Sequence, residues 1–302
     1  MESAAVTRDC PTPRTRKGLP TFGLAIAGLA LSLSFGSTAH AQDGGGWTDQ
    51  RREWNQPQEP FRIAGNVHYV GTAGLSAFLI TDPEGHVLID GGLPESAPLI
   101  LANIRKLGFD PKDVRILLIN HSHFDHSGGL AELKRATGAK LLASAGDRPD
   151  LESGHTGGRN DLLDFPKIAV DRVIADGEHI WLGGIDLVTR VTPGHTPGCT
   201  SWTTTVSEGG RSLNMLFACS ISVAGRPLTP EAQKEFASTF ATLRGLRPDI
   251  FVNFHPDAFD LAGKRKRQQA GDALAFVDPG ETARQVDAAE RNLRAELAKR
   301  PD

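Results

Sequence analysis

The sequence predicts an α+β protein, with two β-sheets packed face to face and helices on their outer faces, in a single domain. Three observations predict it. Short β-type apolar runs broken by Gly, Pro and Asp open the chain from residue 61. Helical and strand periods then alternate between residues 99 and 144. The same order returns in the second half, with strands from 168 to 223 and mostly helices beyond 230. No repeat of fixed short period and no long linker divides the chain.

The elements follow in order. Residues 63–70, 75–80 and 86–90 read as strands in an antiparallel opening, with Asp82, Pro83 and Gly85 supplying a turn. Leu99, Ile100, Ile104 and Leu107 fall at helical spacing, and Gly108 stops that helix. Residues 114–119 read as a buried strand, 130–136 as a helix and 139–144 as a strand. Residues 153–161 lack an apolar period and read as a surface loop over a site. Residues 200–206 and 212–218 form a hairpin around a turn at 207–211, and 187–191 reads as a strand before it. Beyond it come a helix at 230–243, a strand at 250–254, and helices at 260–270 and 281–299. The basic run from Lys264 to Arg267 reads as a solvated helix face.

The chain has 302 residues, 39% hydrophobic and 23% charged, with a formal net charge of −3. That composition excludes a disordered tail or a collagen-like fibre, and the charge argues against a nucleic-acid partner. Residues 1–41 stand apart. Arg14, Arg16 and Lys17 precede an apolar stretch at 19–35, and Ala39 and Ala41 offer the small residues of a cleavage site. These features predict a secretory signal peptide, a periplasmic protein starting at Gln42, and no membrane attachment after cleavage. Residues 42–60 then form an N-terminal extension and 61–302 one domain. A monomer is the default expectation. Cys199 and Cys219 are the thiols left after cleavage, and an oxidising compartment suggests that they pair.

The chemistry concentrates in His121-Ser122-His123-Phe124-Asp125-His126, between a strand and the Gly128-Gly129 pair that opens a helix. Three of the ten histidines stand in this hexapeptide. In an extended segment His121 and His123 project to one side, while the turn into the helix re-aims Asp125 and His126 toward a second point. Such a loop can serve two adjacent metal ions. His195, in a Pro-Gly-His-Thr-Pro-Gly turn, and His255, in Asn-Phe-His-Pro, each follow a strand. Either alone would be commonplace.

Together with Asp90 after an earlier strand, this order of residues resembles the metallo-β-lactamase superfamily over about residues 61–260. The resemblance implies an αββα sandwich of two mixed sheets with two zinc ions at one edge. It implies that His121, His123 and His195 hold one zinc, that Asp125, His126 and His255 hold the other, and that buried Asp90 orients the metal loop. Hydrolases of thioesters, lactones and RNA in this superfamily usually place a bridging Asp on the strand between the last two histidines. Here that strand reads Leu216-Phe217-Ala218-Cys219-Ser220-Ile221-Ser222 and has none. The pattern is most similar to subclass B3. The expected function is therefore zinc-dependent hydrolysis of the β-lactam amide of antibiotics, carbapenems included. Its nucleophile would be a metal-bridged hydroxide, with Asp125 as the catalytic carboxylate and no covalent acyl-enzyme. A second expectation is an exported zinc hydrolase of another lactone or thioester. A third, of a different class, is a non-catalytic zinc-binding protein.

Two details remain. Cys219 lies on a strand that carries a zinc-ligating Cys in other subclasses. But if Val206 faces Ser212 across the hairpin, Cys199 faces Cys219 within disulfide range. Ser220 and Ser222 match serines that hydrogen-bond the substrate carboxylate or a metal-bound water in the family, or are exposed strand serines. The shapes of the 153–161 loop and of the Trp54 segment would set which β-lactam is preferred.

Overall fold

The computed structural model describes residues 47–299, so residues 1–41, expected from sequence to be a signal peptide, lie outside the described residues. Twelve strands form two sheets. The first holds β1 (Phe61–Ala64), β2 (Val67–Tyr69), β3 (Phe78–Ile80), β4 (His86–Ile89), β5 (Val114–Leu118), β6 (Lys140–Ser144) and β7 (Arg172–Ile174), side by side in chain order. Strands β1 to β4 run antiparallel and β4 to β7 parallel. The second holds β8 (His179–Leu182), β9 (Ile185–Val191), β10 (Thr200–Glu208), β11 (Arg211–Ala218) and β12 (Ile250–Asn253), with only β11 and β12 parallel.

Among the described residues there are also eight α-helices: α1 (Trp47–Trp54), α2 (Ala97–Lys106), α3 (Phe124–Ser127), α4 (Leu130–Thr137), α5 (Arg148–Ser153), α6 (Pro230–Leu246), α7 (Leu261–Gln269) and α8 (Glu281–Ala298). The first sheet is apolar on both faces, and its period of two sorts the side chains between two cores. Phe78 and Ile80, Val87 and Ile89, and Leu118 point into a core shared with Trp202, Met215, Phe217 and Phe251 of the second sheet. Their neighbours Leu79, Leu88 and Leu117 point the other way, against Ile100 and Ile104 of α2 and Leu130 and Leu133 of α4. Phe236 and Phe240 of α6 and Val286 and Leu293 of α8 join the shared core from the second sheet's side. The layers are helix, sheet, sheet, helix, as expected.

Three local expectations are corrected. The run 63–70 is two strands, because Gly65 takes a left-handed φ of 53° and turns the chain between β1 and β2. The hairpin turn is only Gly209 and Gly210, both left-handed, which lets the strands run to Glu208 and Arg211. That tighter turn shifts the register by one residue, so Val206 faces Leu213 and not Ser212. The Cys199–Cys219 disulfide nevertheless forms, with Cα atoms 5.9 Å apart, because both cysteines lie beyond the last paired residues, Trp202 and Phe217. There the Cys219 amide turns aside to donate to the Ser201 hydroxyl. Finally, Lys264 is not solvated. It is 4% exposed, paired with buried Glu281, and its ammonium also donates to the Phe251 carbonyl.

Among the described residues, no helix is long and apolar enough to cross a membrane.

Candidate metal centre

The site lies where strands of both sheets end. Strand β5 delivers Asn120 and the His121–His126 loop, which enters α3. Strand β9 is followed by the turn that carries His195, and β12 by His255. The loop can sit tightly against the end of β4 because position 129 is glycine. A Cβ there would stand 2.2 Å from the Gly91 carbonyl oxygen.

Two donor clusters result. His121, His123 and His195 bring ligand atoms within 4.8 Å of one another, with ring centroids 4.4 to 4.6 Å apart. In the second cluster the Nε2 atoms of His126 and His255 are 3.3 Å apart and lie 3.4 and 3.5 Å from Asp125 Oδ2. The His121 and His126 rings, 4.3 Å apart, join the clusters. The far ring nitrogens are held from behind. His195 Nδ1 donates to the Ser222 carbonyl at 2.8 Å, and His126 Nδ1 lies 2.8 Å from Asp90 Oδ2. Asp90 also accepts from the Asn120 amide and side chain, and His121 Nδ1 meets Asn120 Oδ1.

This donor set fits a metal. His121 Nε2 is buried with no hydrogen-bond partner among the described residues, a vacancy that burial penalises unless another acceptor of its lone pair is present. Burial pushes the pKa of His121 and His123 well below the ordinary value, and that of His195 down to about 4, so all three imidazoles stay neutral and offer lone pairs. Burial alone would raise Asp125, but His126, His255 and His123 outweigh it and hold the carboxyl well below its usual range. For His126, burial is outweighed by Asp125 and Asp90, which raise it to about 10. A cation in this cluster would take over the role of that proton.

The profile of the metallo-beta-lactamase superfamily matches residues 71–255. This chain belongs to that superfamily. Among solved structures of the superfamily, it resembles the Rm3 metallo-beta-lactamase at 41% identity, with 83% of this chain and 98% of that chain covered and a TM-score of 0.80. BJP-1, a subclass B3 metallo-beta-lactamase of Bradyrhizobium japonicum, is 36% identical over 82% of this chain and 97% of its own, at a TM-score of 0.78. MEM-A1, a subclass B3 metallo-beta-lactamase from a soil metagenome library, is 41% identical over 82% and 100%, at 0.77. Curated sequence relatives carry other names. The hydroxyacylglutathione hydrolase of Rhodospirillum rubrum is 30% identical over 35% of this chain and 34% of its own length. The N-acyl homoserine lactonase AttM of Azorhizobium caulinodans is 28% identical over 45% and 61%. The chain thus spans about a third to three fifths of the length of these curated relatives. Superfamily members generally bind zinc, and the two clusters above offer the histidine and carboxylate donors that zinc takes.

Within this superfamily member, one residue that the sequence pattern does not mark out organises the centre. Asp147, which precedes α5, turns its buried carboxylate back to accept from the Ser122 amide at 3.0 Å, the Thr196 hydroxyl at 3.1 Å and the Gly198 amide at 3.0 Å. It therefore ties the His121–His123 segment to the His195 turn. Position 198 must be glycine, since a Cβ would lie 2.2 Å from the Asp147 nitrogen. Burial, with Asp150 nearby, pushes the Asp147 carboxyl up to about 7 despite these donors. In the sequence Asp147 shows only as a helix-start residue before Pro149. Asp147→Asn should weaken zinc binding in the three-histidine cluster about 10- to 100-fold, the range for residues that orient ligands. Competition against a chromophoric chelator checks this, and the Asp125, His126 and His255 cluster should keep its affinity.

The remaining residues fall around the centre. Ser220 and Ser222 bond to each other at 3.0 Å, and Ser222 supports His195. Cys219 is in the disulfide, with Sγ 3.8 Å from His121 Nδ1, behind the ring. Trp54 of α1 stands 5.6 Å from the His255 ring, and Trp47 stands 5.1 Å from Phe124. A cleft of about 240 Å³ opens beside His123 and His195, bounded by Thr156, Arg159, Arg226 and Thr229.

Proposed function

We propose that this protein is an exported zinc β-lactamase of the subclass B3 kind, binding two zinc ions and hydrolysing carbapenems. The observation that carries this reading is the pair of donor clusters, three neutral histidines beside an Asp–His–His set, with no acidic residue between Leu216 and Ser222 to bridge them. His121, His123 and His195 would hold one ion, and Asp125, His126 and His255 the other. Zinc bound there supplies Lewis acidity, which lowers the pKa of water toward neutrality and polarises a carbonyl.

The chain's own groups do the rest. Asp125 stands at the junction of the clusters, so its carboxylate can orient the attacking water and help pass the proton to the amide nitrogen released when the ring opens. Asp90 fixes His126 from behind, and Ser222 fixes His195, so neither ring need reorganise during reaction. No acyl-enzyme is required. The side-chain nucleophiles beside the histidines are engaged, Cys199 and Cys219 in their disulfide and Ser122 with Asp150 at 2.9 Å. A monomer in the periplasm with a small-molecule substrate completes the reading.

The curated relatives favour a second reading, an exported lactone or thioester hydrolase with the same donors. The test is carbapenem absorbance in the presence of purified, zinc-loaded protein from Gln42 onward. Loss of the antibiotic that stops with chelator and returns with zinc is the expected result. A zinc-replete sample that leaves carbapenems, cephalosporins and penicillins intact but opens a lactone would replace the first reading with the second.

A further inference from the structure

The cleft beside the three-histidine cluster contains two guanidinium groups, and they differ in how fully they are used. Arg226 is committed, with Nη1 donating to the Gly194 carbonyl and Nη2 paired with Glu235 at 2.6 Å. Arg159 is not. Its Nε and Nη2 donate to the two carboxylate oxygens of Asp161 at 2.8 and 2.7 Å, a fork that occupies one edge of the planar group. Its other terminal nitrogen, Nη1, is buried and has no partner among the described residues. The side chain is 9% exposed, and the residue lines the same cleft as His123 and His195. An unpaired cationic donor away from water is penalised until an acceptor arrives.

The loop that carries it is tied to its neighbours at three points. The Gly157 amide donates to Asp150 at 3.1 Å, the Thr156 hydroxyl reaches the Ser122 carbonyl at 3.4 Å, and Trp47 Nε1 donates to the Asp161 carbonyl at 3.1 Å. A Cβ at Gly225, on the loop after Ser222, would lie 3.4 Å from Arg159 Nη2, in ordinary van der Waals contact with the guanidinium. Gly158 takes a left-handed φ of 73°, the conformation that glycine supplies at the turn beside Arg159. Neither Ser220 nor Ser222 lines this cleft.

We infer that Arg159 sets specificity in this cleft, its unpaired Nη1 binding a carboxylate of the β-lactam substrate while Asp161 holds the guanidinium plane in place. The inference rests on the lactamase reading above. Penicillins can present such a carboxylate from the ring or from the acylamino side chain, and one pair separates the sources. Benzylpenicillin carries the ring carboxylate alone, and carboxybenzylpenicillin carries both.

The experiment compares kcat and KM for the two penicillins with zinc-loaded wild type, Arg159→Ala and Arg159→Lys. Loss of a charge-assisted hydrogen bond should lower kcat/KM about 10- to 100-fold in Arg159→Ala, carried by KM, with zinc content unchanged. An equal loss for both penicillins assigns the ring carboxylate, and a loss confined to carboxybenzylpenicillin assigns the side chain. Arg159→Lys should recover only part, since a point charge cannot hold the Asp161 fork and a second acceptor together. The alanine variant strands no buried charge, because the Asp161 side chain is 61% exposed. Unchanged KM for both substrates in Arg159→Ala overturns the inference. If wild type hydrolyses neither penicillin, the lactamase reading fails separately. The intact penicillins then serve as ligands in calorimetric titrations of the same three proteins, where equal Kd values overturn the anchor and weaker binding to Arg159→Ala retains it.

Discussion

Replacing His123 by alanine is expected to lower zinc content and β-lactam turnover together, by more than the roughly 100-fold that loss of a ligand-orienting residue brings. The reason is geometric. His121, His123 and His195 converge within 4.8 Å and are buried, so removing one leaves two imidazoles and a gap that no other described histidine, cysteine or carboxylate shares with them at that spacing. Cys219, whose sulfur lies 3.8 Å from His121 Nδ1, is unavailable because it is bonded to Cys199. Metal analysis after dialysis and steady-state turnover are the paired measurements. His179→Ala is the control, since that histidine lies on β8 against Asp186, well exposed at 46%, and both quantities should be unaffected. Full zinc content and full turnover in His123→Ala would remove His123 from the metal centre.

The second large effect concerns stability. Lys264→Ala should destabilise the fold by about 3–5 kcal/mol, the range for breaking one partner out of a buried ion pair. Glu281, whose carboxyl pKa burial already pushes up, would be left at 6% exposure with no ammonium partner, and the Phe251 carbonyl would lose a donor. Of a typical total of about 5–15 kcal/mol, that is a large share. Lys264 also lies 5.2 Å from the Phe259 ring centre and 6.0 Å from that of Phe276, so an apolar side chain can fill its place. The double variant Lys264→Met with Glu281→Leu should therefore recover most of the loss. Urea unfolding of the four proteins in the cycle gives the coupling, and a single variant as stable as wild type would mean that the pair contributes little.

The layer order was legible because the signals are local. The short apolar runs of β3, β4 and β5 and the helical spacing of Leu99, Ile100, Ile104 and Leu107 need no knowledge of distant partners. The loop from His121 to His126 was legible for the same reason. His195 and His255 are isolated in the sequence, and only their order within a resemblance marked them out. Asp147 was not legible, because the groups it binds lie 25, 49 and 51 residues away. The hairpin register depended on whether Gly209 and Gly210 both turn left-handed, which composition alone leaves open. The burial of Lys264 ran against its neighbours, since a run of basic residues says nothing about which of them faces a distant glutamate.

The donors come from both halves of the sandwich, the His121–His126 loop from the end of β5 in one sheet and His195 and His255 from the ends of β9 and β12 in the other. A cation taken up there is a clasp across the sheets as well as a reagent. By linkage, a free metal concentration 100 times the dissociation constant adds about 2.7 kcal/mol to the stability of the folded chain. Metal scarcity then acts twice on such a protein, by withdrawing its chemistry and by shortening its survival against proteases. An organism that starves it of zinc removes molecules as well as turnovers.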